Sequence, residues 1–300
     1  MTLTEGVFQT GEVAINYAEG PRRGDALVVL HGGATRWQYG QALLEALAAT
    51  WHVYAPDFRG HGLSGHVPGA YGLRDYVRDT AVFLAGVVRE PAVVYGHSLG
   101  GEVGVMLAAE YPPLVRAVIV GDAPLSNRNH ATERPEHRAM NLLWHTLCGR
   151  PADEIELALK NMPVLEPGAT IPRPAREVMG EDSAYFALQT TSLHQLDPDM
   201  LAAVLAGPEV MLEGYVPEVL LPQITCPVLL VQADARHGSA LPDDEVALAL
   251  KLLRRVTHVR LDGLGHPLHG PPGGTQRVLH EAFAPFFESL PRTVGAASPG

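Results

Sequence analysis

The sequence predicts an α/β protein: one mostly parallel sheet of eight strands, doubly wound, with helices on both faces and a helical insertion. Three observations carry this expectation. Short apolar runs alternate with stretches of helical spacing over both ends of the chain. The runs of the first half end in small or polar loops, at His31-Gly32-Gly33, Asp57, Ser98 and Asp122. The alternation stops between about 123 and 221, where amphipathic segments and prolines replace buried strands, and then resumes.

Val7 to Ala18 alternates polar and apolar residues around Gly11, the pattern of an antiparallel edge hairpin. Ala26-Leu27-Val28-Val29-Leu30 is continuously apolar, as a strand covered on both faces requires. Helical spacing over 37–49 precedes a strand at 51–55, which stops at Pro56-Asp57 and a glycine-rich loop, 59–65. An amphipathic helix over 73–88 leads to a strand at 91–95, a helix at 102–110 closed by Pro112-Pro113, and a strand at 117–120. The insertion offers helices at 138–147, 153–160 and 200–205, punctuated by Pro163, Pro167, Pro172 and Pro174. Strands follow at 226–231 and 257–261, with a helix at 244–253 between them, capped by Asp243 or Asp244. A final helix runs from about 275 to 289, and the small, polar tail 292–300 is expected to be disordered. The expected organisation is thus a core of 1–122 and 222–291 with an inserted lid, 123–221. In parallel sheets of this kind ligands bind beyond the carboxyl ends of the strands, so the four loop sites should gather along one edge.

Composition narrows the function. The chain has 300 residues, 46% of them apolar, and a net charge of −11 without any Lys/Arg cluster, which argues against nucleic acid. No apolar run reaches the roughly 18 residues that span a bilayer, and the N-terminus lacks a basic start and an apolar stretch. Two cysteines, Cys148 and Cys226, make neither a disulfide framework nor a zinc pattern, and no H-E-x-x-H occurs among the 14 histidines. The expectation is a cytoplasmic protein acting on a small molecule, without metal or cofactor.

The chemistry centres on Gly96-His97-Ser98-Leu99-Gly100, a G-x-S-x-G run between a strand and a helix. Glycines two residues to either side admit the tight turn. The serine hydroxyl then stands at a helix N-terminus, where free N–H groups favour developing negative charge.

Together with His31-Gly32-Gly33, Asp57-Phe58-Arg59-Gly60-His61-Gly62-Leu63-Ser64 and Gly265-His266, in this order, the run resembles the α/β-hydrolase fold family over roughly residues 7–290. The resemblance implies a nucleophile at Ser98, a general base at His266, and a helical cap inserted after the sixth strand. His269 is the rival base but lacks the preceding glycine. The acid stays open between two residues. Most members place it after the seventh strand, where this chain has Arg236, with Asp234 two residues earlier. Asp122, 24 residues beyond Ser98 after the sixth strand, matches the alternative site of haloalkane dehalogenase-like members. The resemblance also implies an oxyanion hole from the N–H groups of Gly33 and Leu99.

Asp57, Arg59 and His61 are read as loop braces and His97 as a brace of the elbow. Trp37, Met140, Trp144, Met162, Met179, Phe186 and Leu193 are candidates for an acyl pocket. The expected reaction is hydrolysis of a small, largely apolar ester or lactone through an acyl-enzyme. The alternatives are C–C bond hydrolysis with the same triad and a ligand-binding receptor. Dehalogenase and epoxide hydrolase chemistry need a carboxylate nucleophile, where this chain has Ser98.

Overall fold

The computed structural model describes residues 2–126, 135–166, 168–269 and 275–291. The expected tail 292–300 and Pro167 lie outside the described residues.

Sequence periodicity translates directly into layers. Strands β1 (Thr4–Gln9), β2 (Ala14–Glu19), β3 (Ala26–Leu30), β4 (His52–Pro56), β5 (Ala92–His97) and β6 (Val115–Gly121) form one sheet with two later strands. In the central strands both faces are apolar, because each is covered by helices. Leu27 and Val29 enter one core, Val28 and Leu30 the other. Helix α1 (Gln41–Leu47), preceded by a 3₁₀ turn at Trp37–Gly40, covers one face. Helices α2 (Leu73–Phe83) and α3 (Leu99–Glu110) cover the other and pack on each other. A π turn, Leu84–Val88, continues α2 to the end of the expected helix.

Between β6 and the next sheet strand, the described chain is mostly helical. It comprises α4 (Pro135–Leu147), α5 (Ala152–Asn161), a two-residue antiparallel pair β7 (Pro163–Val164) and β8 (Arg173–Pro174), α6 (Ala175–Met179), α7 (Ala184–Gln195), α8 (Pro198–Ala206), α9 (Pro208–Met211) and α10 (Pro217–Leu220). Helix α4 packs on α8, and α5 on α7. The segment is pinned to the core through Asp197, whose N–H donates to the Gly60 carbonyl (2.9 Å) and whose carboxylate accepts from the Tyr71 hydroxyl (2.5 Å). Asp197 also caps α8, accepting from Asp199 N–H.

The sheet then resumes with β9 (Val228–Ala233), α11 (Asp243–Leu252), β10 (Val256–Leu261) and α12 (Thr275–Ser289). Strand order is β1-β2-β4-β3-β5-β6-β9-β10, with β1–β2 and β2–β4 antiparallel and the other pairs parallel. Helix α12 shares its face with α1. The expected cap of α11 is corrected: Pro242 occupies the N-cap position and Asp243 lies in the first turn, accepting from Gln232 (2.8 Å) and Arg260. Among the described residues no helix is long and apolar enough to cross a membrane.

Candidate active site

Ser98 sits where β5 gives way directly to α3, with φ 52° and ψ −120°, a region few L-residues occupy. The turn survives because its neighbours have no side chains. A Cβ on Gly96 would lie 2.0 Å from the Gly100 carbonyl oxygen, and one on Gly100 would lie 2.4 Å from that of Leu30. The helix starts at Leu99, three residues earlier than expected, so the serine stands at its very N-terminus.

Strand register brings Asp122 alongside. His97 pairs with Gly121, and Ser98 N–H donates to the Gly121 carbonyl (3.1 Å), so Ser98 and Asp122 leave neighbouring strands together. Asp122 also has a left-handed backbone, φ 45°, a conformation Asp tolerates better than most residues. Its side chain is completely buried and accepts four hydrogen bonds: Ala233 N–H (2.9 Å), Ser239 hydroxyl (2.6 Å), Ala240 N–H (2.8 Å) and His266 Nδ1–H (2.8 Å). Burial pushes this carboxyl upward, but its hydrogen bonds, that from His266 foremost, more than offset it and hold the pKa below the ordinary value.

The histidine arrives from the loop after β10. Gly265 is needed there, since a Cβ would lie 2.5 Å from the His237 carbonyl oxygen. With Nδ1–H donated to Asp122, Nε2 is left as the acceptor, and it lies 3.1 Å from Ser98 Oγ. His97, expected to brace the elbow, donates from Nε2 to the His266 carbonyl (2.8 Å), and its ring lies against the His266 ring at 4.9 Å. Of the two candidate acids, the structure thus joins Asp122 to the histidine.

Asp234 is occupied elsewhere, which corrects its candidacy as the acid. Its carboxylate accepts from the Arg236 guanidinium (2.8 and 3.1 Å), Arg236 N–H (2.9 Å) and Gly263 N–H (3.0 Å). These bonds, Arg236 first, hold its carboxyl well below the usual range. Its backbone N–H donates to Leu264 carbonyl (2.7 Å), so Asp234 fastens the loop that carries His266 from behind. His269, the rival base, is buried and hydrogen-bonded through Nε2 to the Tyr95 hydroxyl (3.0 Å).

The loop after β3 packs on the elbow. A Cβ on Gly32 would lie 3.4 Å from Ser98 Cβ, and one on Gly33 would lie 4.0 Å from the Leu99 side chain. The Gly32–Gly33 peptide is aimed by its carbonyl, which accepts from Thr35 Oγ1–H (2.7 Å) and His31 Nδ1–H (2.8 Å). In a trans peptide the Gly33 N–H points the opposite way, and donors on the carbonyl polarise it into a better donor. His31 is neutral, because its Nε2 accepts from Phe58 N–H (3.0 Å).

The bracing loop behaves as expected. Asp57 accepts from Asn16 (2.9 Å), Trp37 N–H (2.9 Å) and Leu63 N–H (3.2 Å). Arg59, fully buried, donates twice to Asp79 (2.6 and 2.8 Å) and once to Glu12 (3.0 Å). His61 donates to the Arg59 carbonyl (2.9 Å) and accepts from Ala34 N–H (3.1 Å). The pocket candidates scatter: Trp37, Phe186 and Leu193 are core, and Met179 is 42% exposed. Met200, on α8 of the insertion, instead lies against the loop, its Cε 3.1 Å from a Cβ built on Gly33. Sequence reasoning did not nominate Met200, Thr35 or Ser239, whose roles come from partners far along the chain.

Burial of so many imidazoles makes the fold acid-sensitive. Burial pushes His31 and His269 down to about 4, His61 to about 3 and His97 well below its usual value. In the unfolded chain these groups take up protons near 6.5, whereas the folded state refuses them. Stability is therefore full above about pH 6.5 and falls as pH drops towards 4, by up to about 1.4 kcal/mol per histidine per pH unit. Calorimetry should show Tm nearly flat from pH 8 to 7 and falling steeply from 6.5 to 4.5. A Tm constant over that lower interval would contradict the assigned burial.

A nucleophile-elbow serine, an imidazole and a buried carboxylate at the ends of parallel strands define the site of an α/β-hydrolase-fold protein. The chain belongs to the alpha/beta hydrolase family, whose sequence model matches residues 27–275. It is 28% identical to 2-(acetamidomethylene)succinate hydrolase of Mesorhizobium japonicum over 257 residues, covering 72% of this chain and 91% of that protein. The crystal structure of E-2-(acetamidomethylene)succinate hydrolase superposes with a TM-score of 0.68 at 20% identity, covering 96% of this chain and all of the other. A malate-bound thermophilic esterase from Thermogutta terrifontis gives a TM-score of 0.67 at 19% identity, with 97% and 99% of the two chains covered. At these identities the two structures attest the fold.

Proposed function

We propose that this protein is a cytoplasmic serine hydrolase that cleaves a small, largely apolar carboxylic ester or lactone. The observation that carries the reading is the unbroken relay Ser98 Oγ···Nε2–His266–Nδ1···Asp122, with separations of 3.1 and 2.8 Å. Each separation is within the reach needed for proton transfer or orientation. Residues 1–122 and 222–291 serve as the catalytic core and 123–221 as its cap. Met200 and Leu99 beside Gly33 give the reacting carbonyl apolar neighbours.

Ser98 Oγ attacks the substrate carbonyl while His266 Nε2 takes its proton. Asp122, ionised in its hydrogen-bonded cage, holds the imidazole tautomer and stabilises the imidazolium. The tetrahedral oxyanion is received by the N–H groups of Gly33 and Leu99, for which no acceptor is found among the described residues. One such donor contributes about 3–4 kcal/mol to the transition state. His266 then protonates the leaving alkoxide, and water, activated by the same imidazole, releases the acid. Water is the only co-substrate the scheme requires.

A fluorophosphonate probe tests this reading, since only an activated serine is phosphonylated. Mass spectrometry is expected to find stoichiometric labelling on Ser98, lost in His266→Ala. A panel of p-nitrophenyl acetate, butyrate and octanoate, γ-lactones and a β-diketone then separates ester from C–C cleavage. Absence of labelling would turn the site into a binding pocket, and turnover of the β-diketone alone would make the protein a C–C hydrolase.

A further inference from the structure

Beside Met200, the inserted helices reach the proposed oxyanion loop through a polar side chain. Gln189, on α7, is 1% exposed, and its Nε2 donates to the Ala34 carbonyl (3.1 Å). Its Oε1 accepts from the hydroxyl of Tyr39, in the 3₁₀ turn after the same loop. Burial keeps the Tyr39 phenol well above its ordinary pKa, so it is a donor at any working pH. Ala34 itself has φ 54°, left-handed and not glycine, and is buried. Such a conformation is strained for a residue with a Cβ and persists only where the surroundings hold it.

Both polar groups of Ala34 are held by side chains from distant parts of the chain. Its N–H donates to His61 Nε2 (3.1 Å) from the core, and its carbonyl accepts from Gln189 of the insertion. Releasing the carbonyl would leave a buried acceptor unpaired and free the turn to relax towards an ordinary backbone. The Gly33 N–H lies one residue away and would move with it.

We propose that Gln189 is a positioning residue for the oxyanion site. Bridged between Tyr39 and Ala34, it fixes the Gly33–Ala34 turn in its left-handed form, so the hole is fully formed only when α7 is seated on the core. The inference rests on the hydrolase reading above and adds a dependence of the chemical step on the cap. It predicts that loss of the bridge weakens transition-state binding and leaves ground-state binding intact.

The test uses the full chain with p-nitrophenyl butyrate and an alkyl trifluoromethyl ketone, whose hemiketal oxyanion occupies the hole. Gln189→Glu keeps the acceptor for Tyr39 but opposes two oxygens at Ala34, and Gln189→Leu removes both bonds. Each is expected to lower kcat about 10- to 100-fold, less than outright loss of an oxyanion donor. KM stays within about twofold, and ketone affinity falls by the same factor as kcat. Tyr39→Phe, which removes one hydroxyl and keeps the fold even if Gln189→Leu does not, lowers kcat about threefold and adds nothing in the Gln189→Leu background. Wild-type kcat and ketone affinity in Gln189→Glu and Tyr39→Phe would overturn the proposal, as would a rise in KM alone, which marks a merely structural fastening. A wild-type protein inert to ester and fluorophosphonate would instead overturn the hydrolase reading.

Discussion

Ser98→Ala is expected to reduce p-nitrophenyl butyrate turnover by about 10⁶-fold, the loss seen when a triad nucleophile is removed. The fold should survive. Alanine takes the backbone of Ser98 with no larger side chain, and the hydroxyl's hydrogen bond is to the half-exposed His266. The glycines that admit the turn are unchanged. Tm is therefore expected within about 2 °C of wild type, since one part-buried hydrogen bond contributes about 0.5–1.5 kcal/mol. Retention of more than a few per cent of wild-type kcat with the fold intact would remove Ser98 from the mechanism.

Asp122→Asn is expected to lower kcat by about 10⁴-fold, because an amide cannot hold the imidazole in the tautomer that leaves Nε2 free to accept. It also destabilises the fold. The carboxylate accepts from Ala233, Ser239 and Ala240 as well as from His266, whereas an Asn presents a single acceptor oxygen. At least one buried donor is left unpaired, at a cost of about 1–3 kcal/mol. Asp234→Asn is the contrasting variant. It loosens the Arg236 and Gly263 contacts behind the histidine loop and is expected to leave kcat within about tenfold of wild type. Measuring both variants at saturating ester separates the two acids, and a larger loss of kcat in Asp234→Asn would reverse the assignment.

Much of the architecture was legible because it rests on local patterns. Continuous apolar runs mark strands covered on both faces, and the helices at 41–47 and 73–83 lie inside the expected stretches. Helix α7 went unread for a physical reason. Its buried positions include Phe186, Gln189, Thr190, Ser192 and Leu193, so polar residues face inward and no apolar stripe forms. That is the helix carrying Gln189. The expected strand at 91–95 also stopped short of His97, because Gly96 and His97 look like loop residues until the neighbouring strand supplies their partners.

The chain alone determined which chemistry was on offer: a serine flanked by glycines, a glycine-histidine pair near the end, and a choice between two aspartates. Those signals are local, since tight turns select glycine through sterics that a sequence displays. Which aspartate meets the histidine was decided only by the assembled sheet. Register sets Asp122 beside Ser98, while an arginine two residues away claims Asp234. Hydrogen bonds between residues more than a hundred positions apart leave no periodic trace, so the acid, the cage around it and the bridge from α7 to Ala34 exist only in the tertiary structure.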